Sequence, residues 1–383
     1  MKCKELFSVI DSLKEEYLQL LTELAAIESP TEYKKGVDQV GIYIAKIAVK
    51  KGWLTERQHQ SVSGDVWCIT MNPDAKKEPI CFSGHMDTVH PLGSFGKTPV
   101  RRDGERLFGP GVLDCKGGIA ASLLAMDALE KCGFCDRPVK LLLQSDEENG
   151  SRSSNKTTVQ YMGEKAKGCI AFLNTESGRE NSLIISTKGI CKFRFSVSGK
   201  AAHSSRCHLG ISAIREAAEK IIRLEAYKDP ESITCNCGLI QGGSAENTVP
   251  ESCSFTADFR FQTEAQRKEI LQIADKIAST SFVEGTSCTC VLVSSRVAMT
   301  KEKRNEELFQ KVRKIFVENG LNDVEMCSVF GGTDAADITQ MGIPCLDGFG
   351  PLGGGVHSLG EYVECDSLAL AAGRLASVAY EIE

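Results

Sequence analysis

Pro79-Ile80-Cys81-Phe82-Ser83-Gly84-His85-Met86-Asp87 decides how this chain is read. A short apolar, β-rich run ends abruptly in a histidine and an aspartate two residues apart. The pattern returns twice. Residues 139–143 run into Gln144-Ser145-Asp146-Glu147-Glu148, and residues 170–173 run into Asn174-Thr175-Glu176. Near-continuous apolar strands belong in a sheet covered on both faces. Helical spacing lies between them, as in residues 118–129 with Ile119, Leu123, Leu124, Ala128 and Leu129. Strands alternating with helices predict an α/β fold. Ligands of such sheets sit beyond the carboxyl ends of the strands, which is where all three polar clusters fall.

From about Thr187 the period changes. Cys191, Phe193, Phe195 and Val197 alternate with Lys192, Arg194 and Ser196, as in a half-buried strand. A helix over 211–227 follows, then a strand in which Ile233, Cys235, Cys237 and Leu239 share one face. Cys253, Phe255, Ala257, Phe259 and Phe261 mark a third strand, 264–281 a second helix, and 286–294 a fourth strand. The order βαββαβ is that of a ferredoxin-like α+β unit. It is expected as a domain over 187–296, inserted into a host formed by 1–186 and 297–383. After Arg296 the α/β character returns, with a helix over 305–318 and glycine-rich loops at 331–334 and 348–355.

Whole-chain properties exclude several functions. The 383 residues suit two or three domains and a large core. A net charge of −6 offers no basic field for phosphate backbones, so nucleic acid is not an expected partner. No run of about 18 apolar residues exists, so no membrane span is expected. Leu6, Val9, Ile10, Leu13, Tyr17, Leu20, Leu21 and Leu24 are separated by Lys, Glu and Asp. They predict an amphipathic N-terminal helix rather than a signal peptide, and hence a cytoplasmic protein. There the seventeen cysteines are expected as thiols. Cys235-x-Cys237 and Cys288-x-Cys290 read as core filling on strands, and Cys132-x-x-Cys135 has no second pair at zinc-site spacing.

His85, Asp87, Asp114, Glu147, Glu148, Glu176 and the remote His357 form one candidate set. Histidines with carboxylates suit Zn²⁺ or a similar divalent ion, and a pair of ions needs a bridging carboxylate. In His85-x-Asp87 the aspartate can orient a metal-bound imidazole. In Glu147-Glu148 adjacent side chains of an extended segment diverge, so one can bind metal while the other faces water. His59, His90 and His208 fit no role in this set and are expected at the surface or in local structure.

The stretch GHMDTVHPLGSFGKTPVRRDGERLFGPGVLDCKGG resembles the first metal-binding region of the glutamate carboxypeptidase / aminoacylase / acetylornithine deacetylase / succinyl-diaminopimelate desuccinylase metallohydrolases. QSDEENGS, the Glu176 segment, SGKAAHSS, GGSAENTVP, TADFR, GGTDAADI and the segment leading to HSLGEYV follow in that family's order. The likeness covers nearly the whole chain, and GPG before Asp114 and GGTDAA point to the glutamate carboxypeptidase branch. The resemblance implies a mixed-sheet, zinc-exopeptidase-like α/β catalytic domain carrying an inserted dimerisation or lid domain. It implies two Zn²⁺, with Co²⁺ or Mn²⁺ as substitutes. Asp114 would bridge them; His85 and Glu176 would complete one site, Glu148 and His357 the other. Glu147 would be the general base and Asp87 the orienter of His85. His203 would reach the partner's active site in a homodimer, and Asn247, Arg260 and Arg296 would bind substrate. The residue after Asp114 is commonly acidic or Met in relatives and is Cys115 here; the bond between the two is often cis.

The expected reaction is hydrolysis of an amide bond beside a free carboxylate. Glu147 would take a proton from the attacking water and return one to the leaving amine, and His203 would hold the oxyanion. Arg260 or Arg296 would pair with the carboxylate of a small peptide. The alternatives are a deacylase for N-acetyl or N-succinyl amino acids and a catalytically silent binding protein. The complete ligand set argues against the silent protein.

Overall fold

The computed structural model describes residues 3–383. Contacts divide them into two compact units. One comprises the described residues up to Ser186, Lys301–Val329 and Thr333–Glu383; the other comprises Thr187–Thr300 and Phe330–Gly332. The fold is mixed α/β.

In the first unit a six-stranded sheet runs in the order Leu54–Gln58, Val66–Met71, Val139–Gln144, Ile80–His85, Ala171–Asn174, Cys345–Leu346. The first two pairings are antiparallel and the other three parallel, so the sheet is mixed as expected. Phe82 stands opposite Leu141 on one side and Leu173 on the other. That register aligns the carboxyl ends of the three central strands. Every residue of Ile80–His85 is buried, which requires cover on both faces.

Helix Lys116–Lys131 lies on Ile80–His85 and packs against Lys4–Ala26 and Cys365–Glu381. Its start explains the Lys116-Gly117-Gly118 sequence. A Cβ on Gly118 would meet Thr175 O at 2.1 Å, and one on Gly117 would meet Val112 O at 2.3 Å. Only glycine permits that approach, which draws the Asp114 loop down onto the Glu176 strand end. The Asp114–Cys115 bond is cis.

The second unit holds a four-stranded antiparallel sheet in the order Thr234–Gly242, Ser252–Phe261, Gly189–Ser198, Ser287–Arg296. Strict alternation buries Cys191, Phe193, Phe195 and Val197 beneath helices Ala213–Leu224 and Glu264–Ser279. Phe195 and Phe255 stack with centroids 4.8 Å apart. Both helices are shorter than their apolar spacing predicts. The Ser212 side chain caps the first, and a Thr263–Gln266 capping box starts the second.

One expected face does not survive. The pairing register shifts between Asn236 and Leu239, so Cys235 is buried while Leu239 is 70% exposed. An extra residue in the ladder flips the side chains beyond it. The entry and exit of this unit are joined. Thr187 N donates to Met299 O at 3.0 Å, and Met299 N donates to the Thr187 hydroxyl at 3.3 Å. All seventeen cysteines are thiols, with no disulfide among the described residues. Among the described residues no helix is long and apolar enough to cross a membrane.

Candidate metal centre and active site

His85 closes its strand, and Asp87 follows in the turn. His85 Nδ1 donates to the Asp87 backbone oxygen at 3.0 Å, with the Asp87 carboxylate at 3.4 Å. Nε2 faces Asp114 Oδ1 at 2.9 Å and Glu176 Oε1 at 3.6 Å. Asp114 reaches the opposite way as well. Its Oδ2 is 3.2 Å from His357 Nε2, which lies 3.3 Å from Glu148 Oε2. The two oxygens of one carboxylate thus face two imidazoles, each accompanied by its own glutamate.

Asp87 has a second task that no local pattern announces. Its Oδ1 accepts from Glu147 N and its Oδ2 from Glu148 N, both at 3.1 Å, and Thr31 Oγ1 donates to Oδ2 at 2.8 Å. One buried carboxylate therefore sets His85 and both glutamates. Glu147 is itself 5% exposed. Cys115 turns its thiol to Thr175 O at 3.2 Å, near His85 and Glu176.

The electrostatics are those of a cation site. Burial opposes protonation of His85, but Cys115, Asp114, Asp87 and Glu176 together raise its pKa well above the usual value. Hydrogen bonds to Asp114 and Glu148 raise His357 to about 10. Burial pushes Asp114 up, yet the two imidazoles hold it well below the usual carboxylate range. Burial lifts Glu148 to about 7, and burial with the Asp114 charge lifts Glu176 well above normal. Three carboxylates crowd two imidazoles that take up protons to balance them. His85 Nε2, a carboxylate oxygen of Asp114 and one of Glu148 come within mutual ligating reach. This donor set fits divalent metal.

The remaining expected residues lie in the second unit. The short strand Ala202–His203 pairs with Thr248–Val249, and Ser204 N donates to Asn247 O at 2.8 Å, which brings His203 and Asn247 together. His203 is exposed, and its Nδ1 accepts from Ser205 N at 3.2 Å. Arg260 makes a two-pronged pair with Asp258 at 2.8 and 3.2 Å and donates to Phe330 O at 3.4 Å. Arg296 lies against Gly332, where a Cβ would come within 2.7 Å of Arg296 Cδ.

Several residues near the centre escaped the sequence. His90 is not at the surface: it is 7% exposed and bonds Glu361 at 3.0 Å. Asp347 is buried, which raises it to about 6, and accepts from Thr333 Oγ1 at 2.7 Å. Asn174 joins Ser83 to Thr333, accepting from the first and donating to the second. Their signals were single polar residues with no periodic context. His59 is exposed beside buried Asp65, and His208 is exposed.

The family model described as Peptidase family M20/M25/M40 matches residues 81–381. Carboxypeptidase G2 of Pseudomonas sp. (strain RS-16) is 27% identical over 357 residues, covering 92% of this chain and 85% of its own length. Acetylornithine deacetylase of Myxococcus xanthus is 27% identical over 373 residues, covering 91% of this chain and 92% of its own. A solved tripeptidase from Staphylococcus aureus subsp. aureus mu50 shares the fold at a TM-score of 0.80 and 21% identity, covering 96% of this chain and 99% of that one.

Proposed function

The chain belongs to peptidase family M20/M25/M40, and from that premise we propose a di-zinc amidohydrolase that cuts an amide bond beside a free carboxylate, carboxypeptidase-like, with C-terminal glutamate as the first candidate. The observation that carries this reading is Asp114, whose two oxygens lie 2.9 Å from His85 and 3.2 Å from His357. His85, Asp114 and Glu176 would hold one Zn²⁺, and His357, Asp114 and Glu148 the other, with Co²⁺ or Mn²⁺ as substitutes. When bound, such ions supply Lewis-acid chemistry, acidifying water towards a pKa of about 7 and polarising a carbonyl.

The protein supplies the rest. Glu147, fixed through its backbone by Asp87, accepts the proton of the attacking water and returns it to the leaving nitrogen. Asp87 holds the His85 tautomer with Nε2 free for metal. His203 from a second copy of the chain stabilises the developing oxyanion, in a homodimer built through the inserted unit. Arg260, Arg296 and Asn247 receive the substrate's free carboxylate and neighbouring polar groups.

A hydrolysis screen tests the reading. Zinc-reconstituted protein is presented with peptides of varied C-terminal residue and with N-acetyl and N-succinyl amino acids. The highest kcat/KM is expected on a peptide or conjugate ending in glutamate. Preference for acyl amino acids would transfer the assignment to the deacylases, a reading favoured by the deacetylase likeness. Hydrolysis of neither class by metal-loaded protein would end both.

The shared site has its own test. His203→Ala should lower kcat at unchanged zinc content. Mixed with inactive Glu147→Gln, it should regain part of the activity, because some mixed dimers assemble one intact site. Verified mixed dimers without rescue would remove His203 from the partner's site.

A further inference from the structure

Glu361 is 1% exposed and has no part in the ligand set. Its carboxylate is fully engaged. Oε1 accepts from Leu113 N at 2.9 Å and Asp114 N at 3.0 Å. Oε2 accepts from Gly111 N at 3.1 Å and faces His90 Nε2 at 3.0 Å. The backbone of Glu361 joins in, its oxygen accepting from Gly109 N and its N–H donating to Ser358 O, each at 3.2 Å. His90 is held edge-on against Phe95, with centroids 4.9 Å apart. Lys116, also buried, lies close enough to feel the Glu361 charge, and donates to Ile27 O at 2.8 Å.

The topology gives this cluster a purpose. Glu361 stands four residues after His357, which itself takes φ 62°, and two tight turns, Gly355–Ser358 and Ser358–Glu361, link them. The same short segment therefore grips Asp114 twice: His357 from the carboxylate side, Glu361 from the backbone side. Hydrogen bonds to an ionised acceptor are about twice as strong as neutral ones. A buried carboxylate with four donors is satisfied, whereas the donors left by its loss would be orphaned.

We propose that Glu361, locked by His90, is a positioning residue that aims the Asp114 carboxylate between His85 and His357 and so sets the spacing of the two metal positions. This rests on the di-metal reading. It adds a carboxylate that touches neither metal nor substrate but decides whether the second ion is held.

The test is Co²⁺ titration of metal-free protein against a competing chelator, followed by calorimetry and the cobalt absorption spectrum. Wild type should take up two equivalents. Glu361→Gln keeps the volume but turns an NH₂ group either towards Leu113 N and Asp114 N or towards Gly111 N and His90. It should still unfold cooperatively, while binding the second equivalent at least tenfold more weakly, with an altered cobalt spectrum and with kcat falling more than KM changes. Two equivalents bound at wild-type affinity would overturn the proposal. Should Glu361→Gln fail to fold, His90→Ala decides: a threefold or greater loss for the second equivalent supports the clamp, and unchanged affinity overturns it. A wild-type protein that binds no pair of ions would instead defeat the di-metal reading, so the two failures are distinct.

Discussion

Glu147→Gln is expected to abolish turnover while leaving metal content at the wild-type level. The amide matches the carboxylate in shape, so the pocket should not collapse. The backbone bond from residue 147 to Asp87 Oδ1 needs no side chain and should persist. Asp114, Glu148, Glu176 and both imidazoles remain to hold cations. What disappears is the group that accepts a proton at neutral pH. General-base removal costs about 10²–10⁴ in rate, and Glu147 is asked to move protons in two steps, so the upper end is expected. The check is kcat beside metal analysis of the same preparation. Metal lost in step with activity would place Glu147 among the ligands. Activity retained would end its role as base.

Metal removal should be equally decisive. Exhaustive chelation is expected to abolish hydrolysis, with Zn²⁺, Co²⁺ or Mn²⁺ restoring it; activity in verified metal-free protein would sink the mechanism. The side chains add a sign. In metal-free protein His357 titrates at about 10 and Glu148 at about 7, against ordinary values of 6.5 and 4.5. Both bind more protons folded than unfolded. Their stabilising contribution is complete below the ordinary values and is lost as pH rises, from about 4.5 to 7 for Glu148 and from about 6.5 to 10 for His357. Metal needs the same atoms unprotonated. Uptake should therefore release protons at pH 7 and tighten as pH rises towards 10. Calorimetry in buffers of different ionisation enthalpy reads the release directly. Uptake without proton release would contradict the placement of His357 and Glu148 at the metal.

Much of this architecture was legible in the residues. Period-two alternation in 191–197 and 253–261 specified the second sheet, because half-buried strands leave that trace. Near-continuous apolar runs at 80–82, 139–143 and 170–173 specified the central strands of the first. Their parallel register then brought His85, Glu147, Glu148 and Glu176 to one edge. What stayed hidden was contact between remote single residues. Nothing around Asp87 announces that its carboxylate receives two backbone N–H groups from 147 and 148, and nothing around His90 announces Glu361. Leu239 was misplaced because a ladder irregularity leaves no compositional mark, and the register shift exposes it. Helix ends were offset by two or three residues; at one of them the Ser212 cap, and not the apolar Ile211, sets the boundary.

The Thr187–Met299 pairing closes the neck of the second unit. Because the insert begins and ends at adjacent points, its host experiences a whole module as little more than a short closed loop, and loop entropy grows only slowly with length. Lengthening the loops of that module between Thr187 and Met299 is then expected to leave the closure cost borne by the host nearly unchanged.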